Sequence, residues 1–451
     1  MKHFALKSKH VVIAGEMKAA VIEVKDELIV AIHPYDYQLE CPIEDHQDLV
    51  IMPGLVDSHV HINEPGRTEW EGFNTATQAA AAGGITALVD MPLNCIPVTT
   101  TKAAFQEKLD SVHDKLWVDC GFWGGVIPQN IDDLDELLTH GVLGVKSFLI
   151  DSGIEEFPPV EAQDIRAAMP ILAKHDVPYL IHAELDCGSF NDVEITKEYN
   201  SFLASRPKSW ENNAISLMVD MARESQQKGD NCKVHIVHLS SDEALDTIAQ
   251  AKKEGMRFTA ETCPHYLTIA SENIPDGKTL FKCCPPIREN KNREHLWQAV
   301  KDGRLDFIVS DHSPCTPELK HIDTGDIEKA WGGISALQFG ISLIWTEAKE
   351  RGFTLVDIAR LMSEETAKFA GLDGIKGAIK VGNHADFLVF DAAAEFTITN
   401  EMIKHRHNIT PYAGRKVVGR VEHTYVRGHH VYQQDEFIHS PKGRPLLKGQ
   451  L

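Results

Sequence analysis

Residues 141–150, GVLGVKSFLI, form a short apolar run that carries a single charged side chain, Lys146. Val, Leu, Phe and Ile dominate the run, which is typical of a strand buried on both faces of a parallel sheet. A buried ammonium without a partner is strongly penalised, and burial favours its neutral amine form. The pattern therefore predicts a buried strand in which Lys146 has a special chemical role.

The same combination of apolar run and helical segment repeats on both sides of this strand. From about Trp117 to Cys315, runs such as VPYLIHAE, KVHIVHLS and LDFIVSDHSPC alternate with charged segments such as PVEAQDIRAAMPILAKHD. Upstream, LVIMPGLVDSHVHI and ITALVDMP flank the alanine-rich NTATQAAAAGG. Eight strand candidates separated by helices predict an α/β fold, a (β/α)8 TIM barrel spanning residues 53–376.

The two ends of the chain have a different pattern. Near the N-terminus, AAVIEVKDELIVAI resembles a hairpin, and GAIKVGNHADFLVFD, which begins at Gly377, has the same character. We therefore expect residues 1–52 and 377–451 to pair into one small β-sandwich domain.

Composition narrows the class of protein. The balance of 45 Lys+Arg against 66 Asp+Glu gives a net charge of −21, which disfavours nucleic acid and anionic membranes as partners. The nine cysteines include no Cys-x-x-Cys pair, which favours free thiols in a reducing compartment. The sequence has neither a signal peptide at its start nor an apolar run long enough to span a bilayer. We therefore expect a cytoplasmic enzyme.

Metal-binding side chains occur where the predicted strands end. His59 and His61 are two residues apart, so they share one strand face and can bind one ion. Active sites of barrel enzymes gather at the C-terminal ends of the strands. Six candidates on five strands meet this condition: His59, His61, Lys146, His182, His238 and Asp311. Their joint placement predicts a metal centre.

We expect three histidines near these candidates to take other positions. His235 is three residues from His238, so it should face the other side of the strand and pack there. His312 directly follows Asp311 and should point elsewhere. For His265, in CPHYL, both a site-lining and a loop position remain open.

The motifs PGLVDSHVH, GVKSF, IHAE, HIVHLS and SDHSPC resemble those of the cyclic amidohydrolases. That family includes dihydroorotases, hydantoinases (dihydropyrimidinases) and allantoinases. HINEPGRTEWEGF, AAAGGIT, MPLN, CPHYL, PPIR and KAWGGI look most like the allantoinase group. The resemblance implies hydrolysis of the cyclic amide of (S)-allantoin to allantoate in purine degradation, and a homotetramer.

The resemblance also implies a role for Lys146. In this family the corresponding lysine reacts with CO2 to form a carbamate (a carboxylated lysine), whose two oxygens can bridge two cations. Two divalent ions are then expected, with Zn2+ favoured and Mn2+ and Co2+ as alternatives. His59, His61 and Asp311 would bind one ion, and His182 and His238 the other. Asp311 is also the expected catalytic proton acceptor, because it would lie beside a water activated by the metals.

Substrate recognition is inferred from positions within the family pattern. Dihydroorotases carry an arginine two residues after the His-x-His, where this chain has Asn63, although Arg67 lies nearby. Hydantoinases carry a tyrosine five residues after the lysine, where this chain has Asp151 followed by Ser152. A neutral ring rich in amides is therefore expected. The candidate contacts are Asn63, Arg67, Asn94, Ser152, Cys284, Ser313 and Gly332.

Two other functions remain open at this point. A hydantoinase or dihydropyrimidinase would use the same metal centre on another ring. Some hydantoinase relatives are non-catalytic assembly proteins that lack metal ligands, whereas this chain keeps all six. Metal content and amidase activity distinguish these alternatives.

Overall fold

The structure, a computed structural model, describes residues 3–186, 188, 193–438 and 440–451. In this part of the chain the strands are β1 (His3–Ile13), β2 (Glu16–Lys25), β3 (Leu28–Pro34), β4 (Ile43–Asp45), β5 (Val50–Pro53), β6 (Leu55–Val60), β7 (Ile85–Asp90), β8 (Asp119–Phe122), β9 (Gly124–Gly125), β10 (Val145–Phe148), β11 (Pro178–His182), β12 (Lys233–Ile236), β13 (Phe258–Thr262), β14 (Phe307–Ile308), β15 (Phe387–Thr397), β16 (Lys416–Val426), β17 (His429–Gln433) and β18 (Glu436–Phe437). The α-helices are α1 (Phe73–Ala82), α2 (Lys102–Ser111), α3 (Leu134–Thr139), α4 (Ala162–Lys174), α5 (Tyr199–Ser205), α6 (Lys208–Lys228), α7 (Leu245–Lys253), α8 (Pro264–Thr268), α9 (Asn290–Asp302), α10 (Gly340–Glu350), α11 (Leu355–Ala359) and α12 (Glu365–Phe369). Among the described helices, none combines the length and the apolar character that a membrane crossing requires.

Two parallel sheets form the middle of the chain. One has the order β6-β7-β8 and the other runs from β9 to β14, with strands that follow each other in sequence also neighbours in space. Only Trp123 separates β8 from β9. A parallel bridge between Val60 and His312 joins the end of β6 to the segment that follows β14. The predicted α/β class with parallel strands is therefore confirmed.

The run that contains Lys146 forms strand β10. Lys146 pairs with Leu180 of β11, and Phe148 pairs with His182 at the end of that strand. Because side chains alternate along a strand, Lys146, Phe148 and His182 share one face. Gly144 is required just before β10, because a Cβ there would lie 2.6 Å from the carbonyl oxygen of Pro178.

The two ends of the chain meet in one nine-stranded sheet. Its main path has the order β18-β17-β16-β15-β5-β1-β2-β3, and β4 pairs with β1. β5 and β15 are antiparallel, with Ile51 opposite Val389. These strands enclose a hydrophobic cluster of their own, to which Leu6, Ile51 and Phe387 belong. Sequence segments more than 300 residues apart are thus held together by backbone hydrogen bonds and a shared core.

A buried ion network ties the C-terminal segment to β8. Lys376 Nζ lies 2.6 Å from a carboxylate oxygen of Asp119 and 2.6 Å from one of Asp386. Arg427 also contacts Asp119, and the backbone N–H of Arg444 donates to Asp119 Oδ1 at 2.8 Å. Burial opposes ionisation of Asp119, but Lys376 and Arg427 outweigh it and lower the pKa of Asp119 to about 2. The network therefore holds an ionised carboxylate at neutral pH.

Candidate metal centre

All six residues predicted as metal ligands lie at one end of the parallel strands. His59 belongs to β6 and His61 follows it, Lys146 belongs to β10, and His182 ends β11. His238 and Asp311 lie just beyond the ends of β12 and β14. Each of the six is at most 6% exposed. The structure thus brings together residues that are up to 252 positions apart in sequence.

His59, His61 and Asp311 form the first of two groups. Their ligand atoms all lie within 4.8 Å of one another. Asp311 Oδ1 is 3.2 Å from His59 Nε2 and 3.7 Å from His61 Nε2. Two imidazole nitrogens and a carboxylate oxygen are a ligand set that suits Zn2+ and similar divalent ions.

His182 and His238 form the second group, with His182 Nδ1 3.1 Å from His238 Nε2. Lys146 adjoins the first group, because its Nζ is 3.3 Å from His59 Nε2. The ring centroids of His59 and His238 are 5.3 Å apart, so the two groups share one small volume. Lys146 and the two histidine groups therefore lie close together.

Burial determines the protonation states at this centre. It lowers the pKa of His59, His61 and His238 well below the ordinary value and also lowers that of His182. Burial lowers the pKa of Lys146 to about 8, against the opposing attraction of Asp311 and Glu261. It raises the pKa of Asp311 to about 7, although Lys146 acts in the opposite direction. The imidazoles are therefore neutral, with lone pairs to offer, and the amine of Lys146 is partly neutral near pH 7.

Two buried glutamates that the sequence analysis missed lie behind the histidines. Glu261 Oε1 is 2.5 Å from His59 Nδ1, and its other oxygen is 3.0 Å from His235 Nε2. Glu184 Oε2 is 2.8 Å from His182 Nε2. A carboxylate on the second ring nitrogen fixes the orientation and tautomer of a ligating histidine. Each glutamate was visible in the sequence as a charge at the end of an apolar run, in RFTAET and PYLIHAE.

Four residues at the centre adopt a left-handed backbone conformation that is uncommon for residues with a side chain. The φ angles are 67° at Asn63, 65° at Asn94, 38° at His238 and 44° at Asp311. Such conformations each cost about 1–3 kcal/mol and persist where surrounding contacts enforce them. At His238 and Asp311 they turn the side chain after its strand has ended, which strand periodicity alone does not predict.

A cavity of about 570 Å³ opens above the two groups. Five of the predicted ligands line it, whereas His59 is fully buried beneath it. Five of the predicted substrate contacts also line it: Asn94, Ser152, Cys284, Ser313 and Gly332. Asn63 and Arg67 lie outside this lining. The amide of Asn63 donates to Pro314 O at 3.2 Å, and Arg67 pairs with Glu156 at 3.2 Å.

Hydrogen bonds already occupy part of the lining. Ser313 Oγ donates to Asp311 Oδ1 at 2.7 Å and so orients that carboxylate. Ser152 Oγ donates to Phe157 O at 2.7 Å. Asn94 Nδ2 is 3.4 Å from His61 Nδ1, while its amide oxygen has no partner in the described part of the chain.

The three neighbouring histidines take three different positions. His235 packs, with its ring stacked on Phe307, and it also supports the metal centre through Glu261. His312 turns away, with Nε2 3.3 Å from Glu71. His265 is fully buried and does not line the cavity. Neither of its ring nitrogens has a hydrogen-bond partner among the described residues.

The chain is similar to known proteins over almost its whole length. Residues 50–431 match the Amidohydrolase family. The chain is 46% identical over 450 residues to an allantoinase of Streptomyces avermitilis, covering 98% of each chain. It is 43% identical over 459 residues to an allantoinase of Saccharomyces cerevisiae, again covering 98% of each.

A solved structure also matches. An L-hydantoinase (dihydropyrimidinase) from Arthrobacter aurescens superposes with a TM-score of 0.92 at 27% identity, over 99% of this chain and 100% of that one. The predicted resemblance to cyclic amidohydrolases is thereby confirmed. The chain belongs to the amidohydrolase family, alongside the allantoinases.

Proposed function

We propose that this chain is an allantoinase, a metal-dependent hydrolase that opens the cyclic amide of (S)-allantoin to give allantoate in purine degradation. The observation that carries the proposal is full-length similarity to allantoinases combined with the convergence of His59, His61, His182, His238, Lys146 and Asp311 beneath one cavity. As an enzyme of this kind, the chain is a cyclic amide hydrolase and not a non-catalytic assembly protein.

We further propose that the two parallel sheets are one closed (β/α)8 barrel over residues 53–376. Two observations support closure. A single residue separates β8 of one sheet from β9 of the other, and the bridge from Val60 to His312 joins the opposite edges of the two sheets, β6 and the segment after β14. Residues 1–52 and 377–451 would form the second domain, a β-sandwich, which the separate hydrophobic cluster of the terminal sheet supports.

The donor set fits two divalent cations, for which we propose Zn2+, with Mn2+ or Co2+ as alternatives. His59, His61 and Asp311 would hold one ion, and His182 and His238 the other. The short distance between His182 Nδ1 and His238 Nε2, 3.1 Å, supports a shared ion, because both rings are neutral there. Ions bound here would polarise the ring carbonyl and lower the pKa of a water molecule towards neutrality.

Lys146 would provide the bridging anion as its carbamate. The neutral amine attacks CO2, a C–N bond forms, and one proton leaves to solvent. The lowered pKa of Lys146 supports this reaction, because a larger fraction of the amine is neutral near pH 7. The ammonium form has no lone pair and could not be a ligand.

Asp311 would move the proton during hydrolysis. Its carboxylate accepts the proton of the attacking water and delivers it to the ring nitrogen that leaves. Ser313 Oγ holds Oδ1 of this carboxylate at 2.7 Å, which fixes its direction. In the metal-free chain burial raises the pKa of Asp311, which favours a carboxylate that can hold a proton between the two transfers.

Unpaired backbone groups of the cavity wall suit a ring rich in amides. Both the N–H and the C=O of Cys284 lack intramolecular partners in the described chain, and the same holds for Gly332. Both residues are partly exposed in the cavity lining, so these free donors and acceptors are available to a ligand bound there. The ring and ureido arm of allantoin carry several donors and acceptors and no charge.

The cationic side chains near the cavity already have partners within the chain, which supports a neutral substrate. Arg206 is bonded to Glu184 at 2.6 Å, and Lys329 is 3.1 Å from Asp326. Lys282 donates to the carbonyl of Glu328 at 2.8 Å. Arg67, the candidate partner for a carboxylate, pairs with Glu156 outside the lining. A carboxylate such as that of dihydroorotate would have to displace one of these contacts.

Turnover of allantoin, hydantoin, dihydrouracil and dihydroorotate at equal metal loading tests the function. Allantoin should be opened with the highest kcat/KM and dihydroorotate with the lowest. Hydantoin, which lacks the ureido arm, should be slower than allantoin. Faster turnover of hydantoin or dihydrouracil would instead identify a hydantoinase, the second candidate, which the structural similarity to the Arthrobacter aurescens enzyme favours.

We also propose a cytoplasmic protein that acts on this small molecule as a homotetramer, which the family resemblance implies. Its net charge of −21 disfavours binding to nucleic acid and anionic membranes. Light scattering on the metal-loaded protein tests the tetramer.

A further inference from the structure

Lys320 is a buried lysine that takes no part in the proposed reaction. It lies in the long segment between β14 and α10 and is 3% exposed. Among the described residues, the hydrogen-bond partners of its Nζ include no carboxylate. Its Nζ instead donates to three backbone carbonyls, of Lys282 at 3.2 Å, of Trp331 at 2.8 Å and of Gly333 at a short distance.

The number of donors matches the number of acceptors. A protonated lysine has three N–H donors and no acceptor, and three carbonyls take them. Burying a charge with only neutral partners is costly, and burial lowers the pKa of Lys320 to about 8. An uncharged side chain would fill this volume without the free-energy cost of burying a charge, so the role of Lys320 lies in its three hydrogen bonds.

The three carbonyls belong to the two loops that contain Cys284 and Gly332, whose backbone groups line the cavity without intramolecular partners in the described chain. Lys282 is two residues before Cys284, while Trp331 and Gly333 are on either side of Gly332. The N–H of Gly333 donates to the carbonyl of Lys282 at 2.9 Å, which directly joins the two loops at one point. Lys320 binds the same carbonyl of Lys282 and adds the carbonyls on both sides of Gly332.

The wall around these loops is tightly packed. A Cβ on Gly333 would lie 2.2 Å from the carbonyl oxygen of Ser313, and one on Gly332 would lie 3.1 Å from Cys284 Sγ. Gly332 therefore lies directly against Cys284 in the cavity wall. The geometry points to Lys320 as a positioning residue that sets the spacing of these two backbone segments and thereby the affinity for the cyclic amide.

This inference rests on the proposed function for its ligand but not for its geometry. Backbone groups far from the reacting carbonyl bind substrate and transition state alike, so their displacement should raise KM and leave kcat almost unchanged. Lys320 is also separate from the metal ligands, so metal content should not change.

The test compares Lys320→Met with Lys278→Met in the metal-loaded enzyme. Methionine keeps a similar length but has no N–H donor, and Lys278 is an exposed lysine that does not line the cavity. For allantoin we expect KM to rise about tenfold or more in Lys320→Met, the effect of one misplaced hydrogen-bond partner, with kcat within about threefold. Lys278→Met should match the wild type in both.

Lys320→Gln provides a second variant, because its amide supplies two donors in place of three. Its KM should lie between that of the wild type and that of Lys320→Met. Hydrogen exchange of the hydrogen-bonded amides of Lys282, Trp331 and Gly333 gives a readout that does not depend on substrate. These amides should exchange faster in Lys320→Met than in Lys278→Met. If Lys320→Met does not fold, Lys320→Gln alone is compared with the wild type by both readouts.

The outcomes separate the two proposals. If the wild type does not open allantoin, the proposed function fails, and KM is then measured with the ring amide that it does open. If KM and local exchange of the Lys320 variants equal those of the wild type, the positioning role is refuted. Equal losses of kcat and bound metal would also refute it, because Lys320 would then support the metal centre.

Discussion

Glu184→Gln should weaken the binding of one of the two cations, the one assigned to His182 and His238. Glu184 Oε2 is 2.8 Å from His182 Nε2, and Arg206 donates to both oxygens at 3.0 and 2.6 Å. Burial opposes ionisation of Glu184, but Arg206 and His182 outweigh it and hold its pKa well below the usual range. His182 is therefore backed by a full negative charge.

The size of the effect follows from these three contacts. Glutamine keeps the shape of the side chain but replaces a charged oxygen by an amide group, so it satisfies at most one of the two partners fully. Loss of a carboxylate behind a ligating histidine costs about 10- to 100-fold in metal affinity. Leaving Arg206 without its anion should also lower the free energy of unfolding by about 3–5 kcal/mol.

Glu211→Gln is the matched control. Glu211 is 2% exposed, accepts from Arg288 at 2.7 Å and from the backbone N–H of Ser240 at 2.9 Å, and contacts none of the metal histidines. Its substitution should lower stability by a similar mechanism and leave metal affinity unchanged.

Metal affinity is measured by equilibrium dialysis against buffered Zn2+ followed by elemental analysis, and stability by urea unfolding of the same samples. We expect Glu184→Gln to lose one equivalent at Zn2+ concentrations where Glu211→Gln keeps both. Equal metal loss in the two variants would show that the loss follows destabilisation, and full retention in Glu184→Gln would refute the role of Glu184.

Three further predictions concern the ligands and the ion network. Lys146→Ala and Lys146→Arg should both abolish turnover and reduce bound metal, as assayed by elemental analysis, and partial rescue of the alanine variant by a short carboxylic acid would support the carbamate. Asp311→Asn should lower kcat by about 10²-fold or more while losing much less metal than His59→Ala; equal metal loss would make Asp311 chiefly a ligand. Because the pKa of Asp119 in the folded chain, about 2, is below its ordinary value of 3.8, Asp119 stabilises the fold above pH 3.8 and loses this contribution as the pH falls towards 2. Asp119→Asn should remove about 2 kcal/mol of pH-dependent stability from the acid limb of a urea-unfolding profile, and an unchanged acid limb would contradict this.

Strand periodicity was sufficient to predict part of the site. Lys146 and His182 lie within strands, where alternation and parallel register determine which side chains share a face. His238 and Asp311 were identified by residue type at strand ends, but their left-handed conformations depend on contacts that only the folded chain provides. Backbone conformation after a strand ends is decided by tertiary packing, which a local pattern does not contain.

Glu184 and Glu261 could have been predicted by the reasoning applied to Lys146. Each is a charged residue at the end of an apolar run, and each is fully buried. Asn63 differs, because its position in the motif predicts a substrate contact while its amide N–H donates to Pro314 O. Its amide oxygen has no partner among the described residues, and the substrate contact stays a prediction. The backbone of Asn63 has a left-handed φ of 67°, and the motif alone does not predict this conformation.

The two histidine groups differ in whether they contain a carboxylate ligand. The first contains Asp311, and burial raises the pKa of Glu261, the glutamate behind it, to about 8 against the opposing attraction of Lys146. The second group, His182 and His238, has no carboxylate ligand of its own among the described residues.

A divalent cation at the second group therefore depends on the Lys146 carbamate for an anionic ligand, although Glu184 supports His182 from behind. Removing the carbamate should affect the second group first. In Lys146→Ala, the cation at His182 and His238 should be lost at Zn2+ concentrations that still retain the cation at His59, His61 and Asp311. Adding the His182→Ala substitution to Lys146→Ala should then cause little further metal loss, whereas adding His61→Ala should remove the remaining equivalent. The reverse order would mean that Lys146 mainly serves the first group.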